Sequence, residues 1–507
     1  MRKKSVLLFI FKILKLPLTL LTLSLTAKYF GVSLDKDVWL LASASIIMLD
    51  MAFWGPLNDI FRTKFIYLKE KDSELIALDA TKSLLTYIFL GSLILVAFIE
   101  IYPFLFARVI APTYNSKELS SLCSMLRLIA PILLINQSML IGCSILNAYD
   151  SFYVPELASA ISLLLNIVLL IFLHNTMGIY ALVGALYISD MVLILFLVFN
   201  IKKKNIRIFN NYSLNFSGFK IFFVFAFPLF LPYLVGQLNS MVERSLVSGL
   251  SIGAVSIIDF SRRIPDMVNN VITSVILTVL VPTLARLYVM NKKEQYEKDF
   301  IESYKLGILG IGMFIVFLCA GATYLIGFFY KSKSIPNADM LKIIQMSKLY
   351  ACALLGIFSY VISGMSLLAT GKNKLNALSG TMTQVLTIIL NLLFVKRFGF
   401  YIFPLSMFIA HFSGAAFMFK FFPYSKKLII YTTLRYYIFL IVLAIVTYWL
   451  GTIITTRFNN IRNLTGIILI GSIQLILFIP LSYIFKISEF EMIFQKLRLK
   501  WLIKKDS

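Results

Sequence analysis

Four charged residues, Asp259, Arg262, Arg263 and Asp266, stand within eight positions of an otherwise apolar stretch. A charge in lipid costs roughly 3 kcal/mol or more, so something must offset it. On a helix Asp259 lies four residues before Arg263, and Arg262 four before Asp266. Two interleaved pairs of opposite charge can therefore form on neighbouring faces. Pairing lowers the cost of burial without removing it, so the polar stripe is expected to face a bundle interior or a water-filled cavity. Two readings fit the spacing: a self-neutralised packing device, or a surface for an anionic substrate, to which the planar fork of arginine is suited.

The elements that position these residues are membrane spans. The chain has 507 residues, is 59% hydrophobic and only 14% charged, which excludes an ordinary soluble protein. Apolar runs of roughly 20 residues recur with short polar breaks, and about fourteen read as helical spans. The net charge of +24 does not point to nucleic acid, because the basic residues gather in alternate loops. With the N-terminus in the cytoplasm, about 30 Lys and Arg fall in cytoplasmic segments, about 10 outside and about 8 within spans. That bias places both termini in the cytoplasm.

Other polar residues lie at span depth. Lys12 and Lys15 in the first span, about 6–30, can snorkel to the cytoplasmic surface or line a cavity mouth, and Pro17 marks a kink. Asp37 is placed to N-cap the second span, about 38–61, which contains Asp50. A cytoplasmic loop carrying Arg62, Lys64, Lys69 and Lys71 is expected to follow. Asn136 and Gln137 read as interhelical hydrogen bonds, and Asp190 as an acid open to proton or ion coupling. The seventh span, about 222–246, carries Pro228, Pro232 and Gly236 as bending points, with Glu243 and Arg244 near its external end. Cys123, Cys143, Cys319 and Cys352 have no metal-like spacing and read as small core residues without disulfides. No G-x-x-x-x-G-K-[ST] occurs, so no P-loop hydrolyses ATP, and no cofactor is implied. The triplet Asp35-Lys36-Asp37 resembles a metal-binding glycosyltransferase motif, but no domain surrounds it and no metal site is expected.

The run E-R-S-L-V-S-G-L-S-I-G-A-V-S, followed by S-R-R-I-P and V-L-V-P-T-L-A-R, resembles the MurJ/MviN lipid II flippases, members of a larger superfamily of multidrug, oligosaccharidyl-lipid and polysaccharide exporters. F-G-V-S-L-D-K-D-V-W-L-L-A, residues 30–42, resembles that family's junction between its first two spans. The resemblance implies that Arg263 is a functional cavity arginine and Asp37 a functional acid. It also marks departures: the family's first-span arginines are not at the matching positions, and Asp50 stands where the family has an arginine. It implies further that two extra C-terminal helices form a hydrophobic groove for a lipid tail.

The expected fold is an all-α polytopic membrane protein with about 14 transmembrane helices. Two pseudo-symmetric six-helix lobes cover 1–201 and 221–425, joined by a basic linker at 202–220. The extra helices occupy 426–488, and a basic amphipathic tail 489–507 lies on the cytoplasmic leaflet. A faint echo of residues 28–43 in residues 244–261 supports the repeat. The expected activity is translocation of a polyprenyl-pyrophosphate-linked saccharide, with no covalent step. Arg262 and Arg263 would hold the pyrophosphate and Asp259 and Asp266 would keep them poised. Arg244, Asp37 and Asp50 complete the expected substrate-binding set, with H+ or Na+ as a possible coupling ion. A drug or cation antiporter of the same superfamily would depend instead on acids such as Asp190 or Asp50. A membrane glycosyltransferase or polymerase is the other reading, opposed by the short external loops.

Overall fold

The computed structural model describes residues 2–206, 208, 213–424, 427–457 and 462–487. Side chains of 2–14, 275, 277–279, 427, 428 and 432 are outside that description, so Lys12 is not placed. The 489–507 tail also lies outside the described residues.

The described residues form α-helices joined by short turns, with no strand among them. In chain order these are α1 Arg2–Tyr29, α2 Leu34–Lys71, α3 Glu74–Ile101, α4 Pro103–Ile110, α5 Ser116–Ile129, α6 Leu133–Ala148, α7 Tyr153–Met177 and α8 Tyr180–Lys203. They continue as α9 Phe216–Ser248, α10 Ala254–Val289, α11 Lys293–Tyr330, α12 Asn337–Ala369, α13 Asn373–Phe398, α14 Ile402–Phe419, α15 Lys427–Arg457 and α16 Asn463–Ile484. Among the described residues, eleven stretches are long and apolar enough to cross a membrane. One of them, Asn373–Phe419, comprises both α13 and α14, separated by a 3-10 turn at Gly399–Tyr401. Helices α1 and α10, which include side chains outside the description at 2–14 and at 275 and 277–279, are not among these eleven.

Helix ends follow local chemistry. Ser33 caps α2 by accepting from the Lys36 amide, and Ser73 caps α3 in the same way. Asn115 and Glu118 form a reciprocal capping box at α5. Pro103 starts α4, and Pro131 sits in the 3-10 turn between α5 and α6, so each of two expected single spans is broken at a proline.

The expected loop after residue 61 is instead a continuation of α2 to Lys71. No glycine or proline follows Pro56 within that stretch, and buried Phe61, Phe65 and Leu68 keep one face packed. Residues 35–37 form the first turn of α2 rather than a loop, and α1 runs through Pro17 as one helix.

The chain divides into two compact units, 1–257 with 332–336, and 258–331 with 337–507. The division falls inside α10 and not at the basic 202–220 segment. In the first unit α9 packs along α2 and α3, and the Phe61, Phe65 and Phe222 rings stack. The 202–220 segment is partly helical and partly anchored. Helix α9 begins at Phe216, while Ile206 and Ile208 are buried in the core of this unit. In the second unit α12 packs on α14, and α11 carries both α15 and α16. Small residues permit close approach there: Gly312 faces Leu440 of α15, and Gly466 of α16 faces Tyr324.

Candidate substrate site and its supports

On α10 both expected ion pairs form. Asp259 Oδ1 accepts from Arg263 through Nε and Nη2, each at 3.0 Å, and Asp266 Oδ2 accepts from Arg262 Nε at 3.0 Å. Half of the Arg263 side chain is exposed, against 15% of Asp259. The acid is thus enclosed and the guanidinium is reachable, the arrangement an anion needs in order to share the arginine. Arg262 and Asp266 are partly exposed, and the Tyr350 ring lies 5.9 Å from the Arg262 guanidinium. The other face of α10 is anchored. Phe260 is buried against Tyr330 with ring centroids 5.0 Å apart, and Ser261 donates to the Ile343 carbonyl at 3.4 Å.

Asp37 does not cap its own helix; Ser33 has that role. The buried Asp37 carboxylate caps α10 within the first unit. It accepts from the Gly253 amide at 2.7 Å, the Ser256 amide at 2.7 Å and the Ser256 hydroxyl at 2.6 Å. A carboxylate at a helix N-terminus meets both free N–H groups and the positive end of the helix dipole. Gly253 enters the turn at φ +84°. A side chain there would be strained and would run into Val32. Residues 332–336 close the same region: Val32 donates to the Ser334 carbonyl at 3.3 Å, Ser332 to the Ala27 carbonyl at 3.1 Å and Ser334 to the Lys28 carbonyl at 2.8 Å.

Asp50 belongs to the first unit. It is enclosed, accepting from Asn136 and, at 2.7 Å, from Gln137, both on α6. Lys15 pairs with Glu156 of α7, so the first-span lysine is neither free in a cavity nor simply reaching headgroups. Arg244 and Glu243 are half-buried near the end of α9. The four cysteines are unpaired and half-buried rather than enclosed.

Two apolar cavities occur within the units. In the second, about 300 Å³ is enclosed by α11, α12, α14 and α15, with Tyr304, Ser359 and Tyr437 hydroxyls linked on one wall. The extra helix α15 contributes Ile430, Thr433 and Leu434, whereas α16 contributes nothing to it. In the first unit about 350 Å³ lies among α2, α3, α4 and α9, lined almost wholly by apolar side chains.

Sequence reasoning missed the partners of Asp37. Gly253 and Ser256 lie 216 and more residues away, and only the glycine turn before α10 hinted at a cap to be filled. Glu156 and Tyr350 were likewise invisible, since nothing local ties them to Lys15 or Arg262.

These features define a polytopic helical membrane protein of transporter type, with a charged stripe on α10. A profile of the family described as "Lipid II flippase MurJ" matches residues 26–468, and the chain belongs to this family. The chain is 22% identical over 478 residues to the probable lipid II flippase MurJ of Thermotoga maritima, covering 93% of both chains. It is 25% identical over 240 residues to the capsular polysaccharide biosynthesis protein CapF of Staphylococcus aureus, covering 46% of this chain and 54% of that protein. Among solved structures it is similar to lipid II flippase MurJ in an inward closed conformation, with TM-score 0.79, 22% identity, and coverage of 95% of this chain and 98% of that one. It also resembles an inward-facing multidrug resistance MATE family transporter of the MOP superfamily, with TM-score 0.67, 15% identity, and coverage of 83% and 94%.

Proposed function

We propose that this protein moves a polyprenyl-pyrophosphate-linked saccharide from the inner to the outer leaflet of the bacterial cytoplasmic membrane by alternating access. The observation that carries the reading is the half-exposed Arg263 held by the enclosed Asp259 on α10, joined to membership of the MurJ family. Arg263 and Arg262 would bind the pyrophosphate in bidentate fashion. Asp259 and Asp266 would hold the forks in place between cycles, and Arg244 would meet the substrate near the external end. Asp37 would act indirectly, by fixing the start of α10 at an outer gate. The cavity of α11, α12, α14 and α15 is suited to part of an isoprenoid chain. No step makes or breaks a covalent bond, and no cofactor takes part.

Fourteen spans follow if α1 and α10 cross the membrane and α13 and α14 cross separately. Both termini are then cytoplasmic. In this reading 1–201 and 221–425 are lobes related by repetition, a division distinct from the packing division at 257. Segment 426–488 forms the added pair, and H+ or Na+ is the coupling ion.

Lipid II is favoured by the family and by the Thermotoga relative's name; the capsular relative's name supports a polysaccharide precursor over part of the chain. The two are separated by rescue of a bacterium depleted of its lipid II flippase, using the parent and Arg263→Ala at matched expression. Rescue by the parent alone is expected. Failure of both would replace lipid II with another lipid-linked saccharide or with antiport.

A further inference from the structure

Asp50 sits in a polar cluster that leaves one of its carboxylate oxygens bare. Asn136 Nδ2 and Gln137 Nε2 both donate to the same oxygen, Oδ2. Oδ1 is buried and receives no hydrogen bond among the described residues. The Gln137 carbonyl accepts from the Asn58 amide two turns further along α2, and the Asn58 carbonyl oxygen is itself buried without a donor. The hydrogen bonds thus run one way, from Asn58 to Gln137 to Asp50. Turning either amide over would set oxygen against oxygen. Two acceptors are left over, Asp50 Oδ1 and Asn58 Oδ1, while the indole Nε1 of Trp54, four residues from each on α2, is a buried donor that also has no partner among the described residues.

Among the described residues no cation pairs with the carboxylate. Helix α2 packs against α3, α5, α6 and α9. On α3 Lys82 pairs with Asp79, Tyr87 donates to the Leu214 carbonyl, and Glu74 accepts from Tyr149. On α5 Arg127 pairs with Glu100 of α3, Glu118 is held in the capping box, and Lys117 and Cys123 complete its ionisable groups. Helix α6 contributes only Cys143. On α9 Tyr233 donates to Asp59 of α2, Lys220 is exposed at the start, and Glu243 and Arg244 lie at the opposite end. An enclosed ionised carboxylate without a cation costs several kcal/mol, and amides relieve one oxygen only.

We infer that Asp50 is a proton-binding site of the first unit, taking up one proton from water on Oδ1 and returning it in each transport cycle. The step converts carboxylate and hydronium to carboxylic acid and water. It removes the buried charge and turns the bare oxygen into a hydroxyl. A metal ion suits the place poorly, since hard cations take about six oxygens and only two acceptors are bare. Among the described residues no group of three acids, histidines or cysteines is placed to hold one. The use of this proton in a cycle rests on the transport reading above; its binding does not.

The binding is tested by infrared difference spectra of the protein in lipid nanodiscs between about pH 5 and about pH 9, a range that spans shifted carboxyl groups. The expected result is a carboxylic-acid carbonyl band that fades as pH rises and is missing in Asp50→Asn. If no band depends on Asp50 anywhere in the range, the inference is overturned. A second arm uses proteoliposomes with a pyrophosphate-linked lipid saccharide and an imposed pH gradient. Asp50→Asn is expected to abolish the acceleration that the gradient gives the parent; a variant that keeps the parent's gradient response overturns the inference. If the parent moves no lipid-linked saccharide, the transport reading fails, and the infrared arm still decides the proton site.

Discussion

At the scale of single residues, the α10 arginines and Asp37 have different kinds of role and different expected losses. Arg263→Lys keeps the charge but not the fork, so transport in proteoliposomes should fall by about ten- to a hundredfold, the value of a charge-assisted hydrogen bond of roughly 1.5–3 kcal/mol. Asp37→Ala leaves two amides and a hydroxyl at the start of α10 without their acceptor. It should lower unfolding stability by about 3 kcal/mol, read as a drop in Tm, while Asp37→Asn, which retains an acceptor, should lose less. The Asp259–Arg263 and Arg262–Asp266 pairs were legible in the sequence because helical spacing alone determines them. The Asp37 cap was not, because its partners come from a distant segment and the sequence offers Asp37 a nearer helix to cap.

At the scale of elements, turns and pairings between helices decide what a substitution does. Gly253→Ala puts a side chain at φ +84° against Val32, and should cost about 1–3 kcal/mol in thermal unfolding. Gly371→Ala, at φ +73° with open space around it, should cost visibly less. The Lys15–Glu156 pair joins α1 to α7. Lys15→Met leaves Glu156 uncompensated, so it should destabilise more than the double change Lys15→Met with Glu156→Met, a difference measured by a double-mutant cycle. Hydropathy located the apolar helices well, but it ended α2 too early. It weighs Arg62, Lys64, Lys69 and Lys71 as loop residues, whereas Phe65 and Leu68 are buried at helical spacing between them. It also joined α5 to α6 across Pro131, where a span is in fact two helices.

For the whole molecule, composition and charge distribution carried the class, and the family match agrees with it. The packing division was hidden, because it falls within α10 where no change of composition marks it. The proposed orientation places the turn at 331–336 outside and that at 290–292 inside. Lys333 and Lys292 are both exposed in this structure. A membrane-impermeant maleimide should therefore label Lys333→Cys in intact cells and Lys292→Cys only after permeabilisation, in a background without the native cysteines. Reversal of that pattern would invert the topology.

The continuation of α2 past Phe61 gives the molecule a rigid arm about 15 Å long at the usual helical rise. Lys64 and Lys71 flank the Tyr67 ring along it, and Lys69 lies 3.9 Å from the Tyr149 ring. In the proposed orientation this arm lies among the cytoplasmic headgroups, while Asp50 sits three turns away on the same rod. A tilt of α2 that disturbs the Asp50 cluster must therefore drag its basic end through the lipid surface. The proportion of anionic lipid in the inner leaflet becomes a mechanical load on the helix, and rates measured in neutral and acidic vesicles should differ for that reason alone.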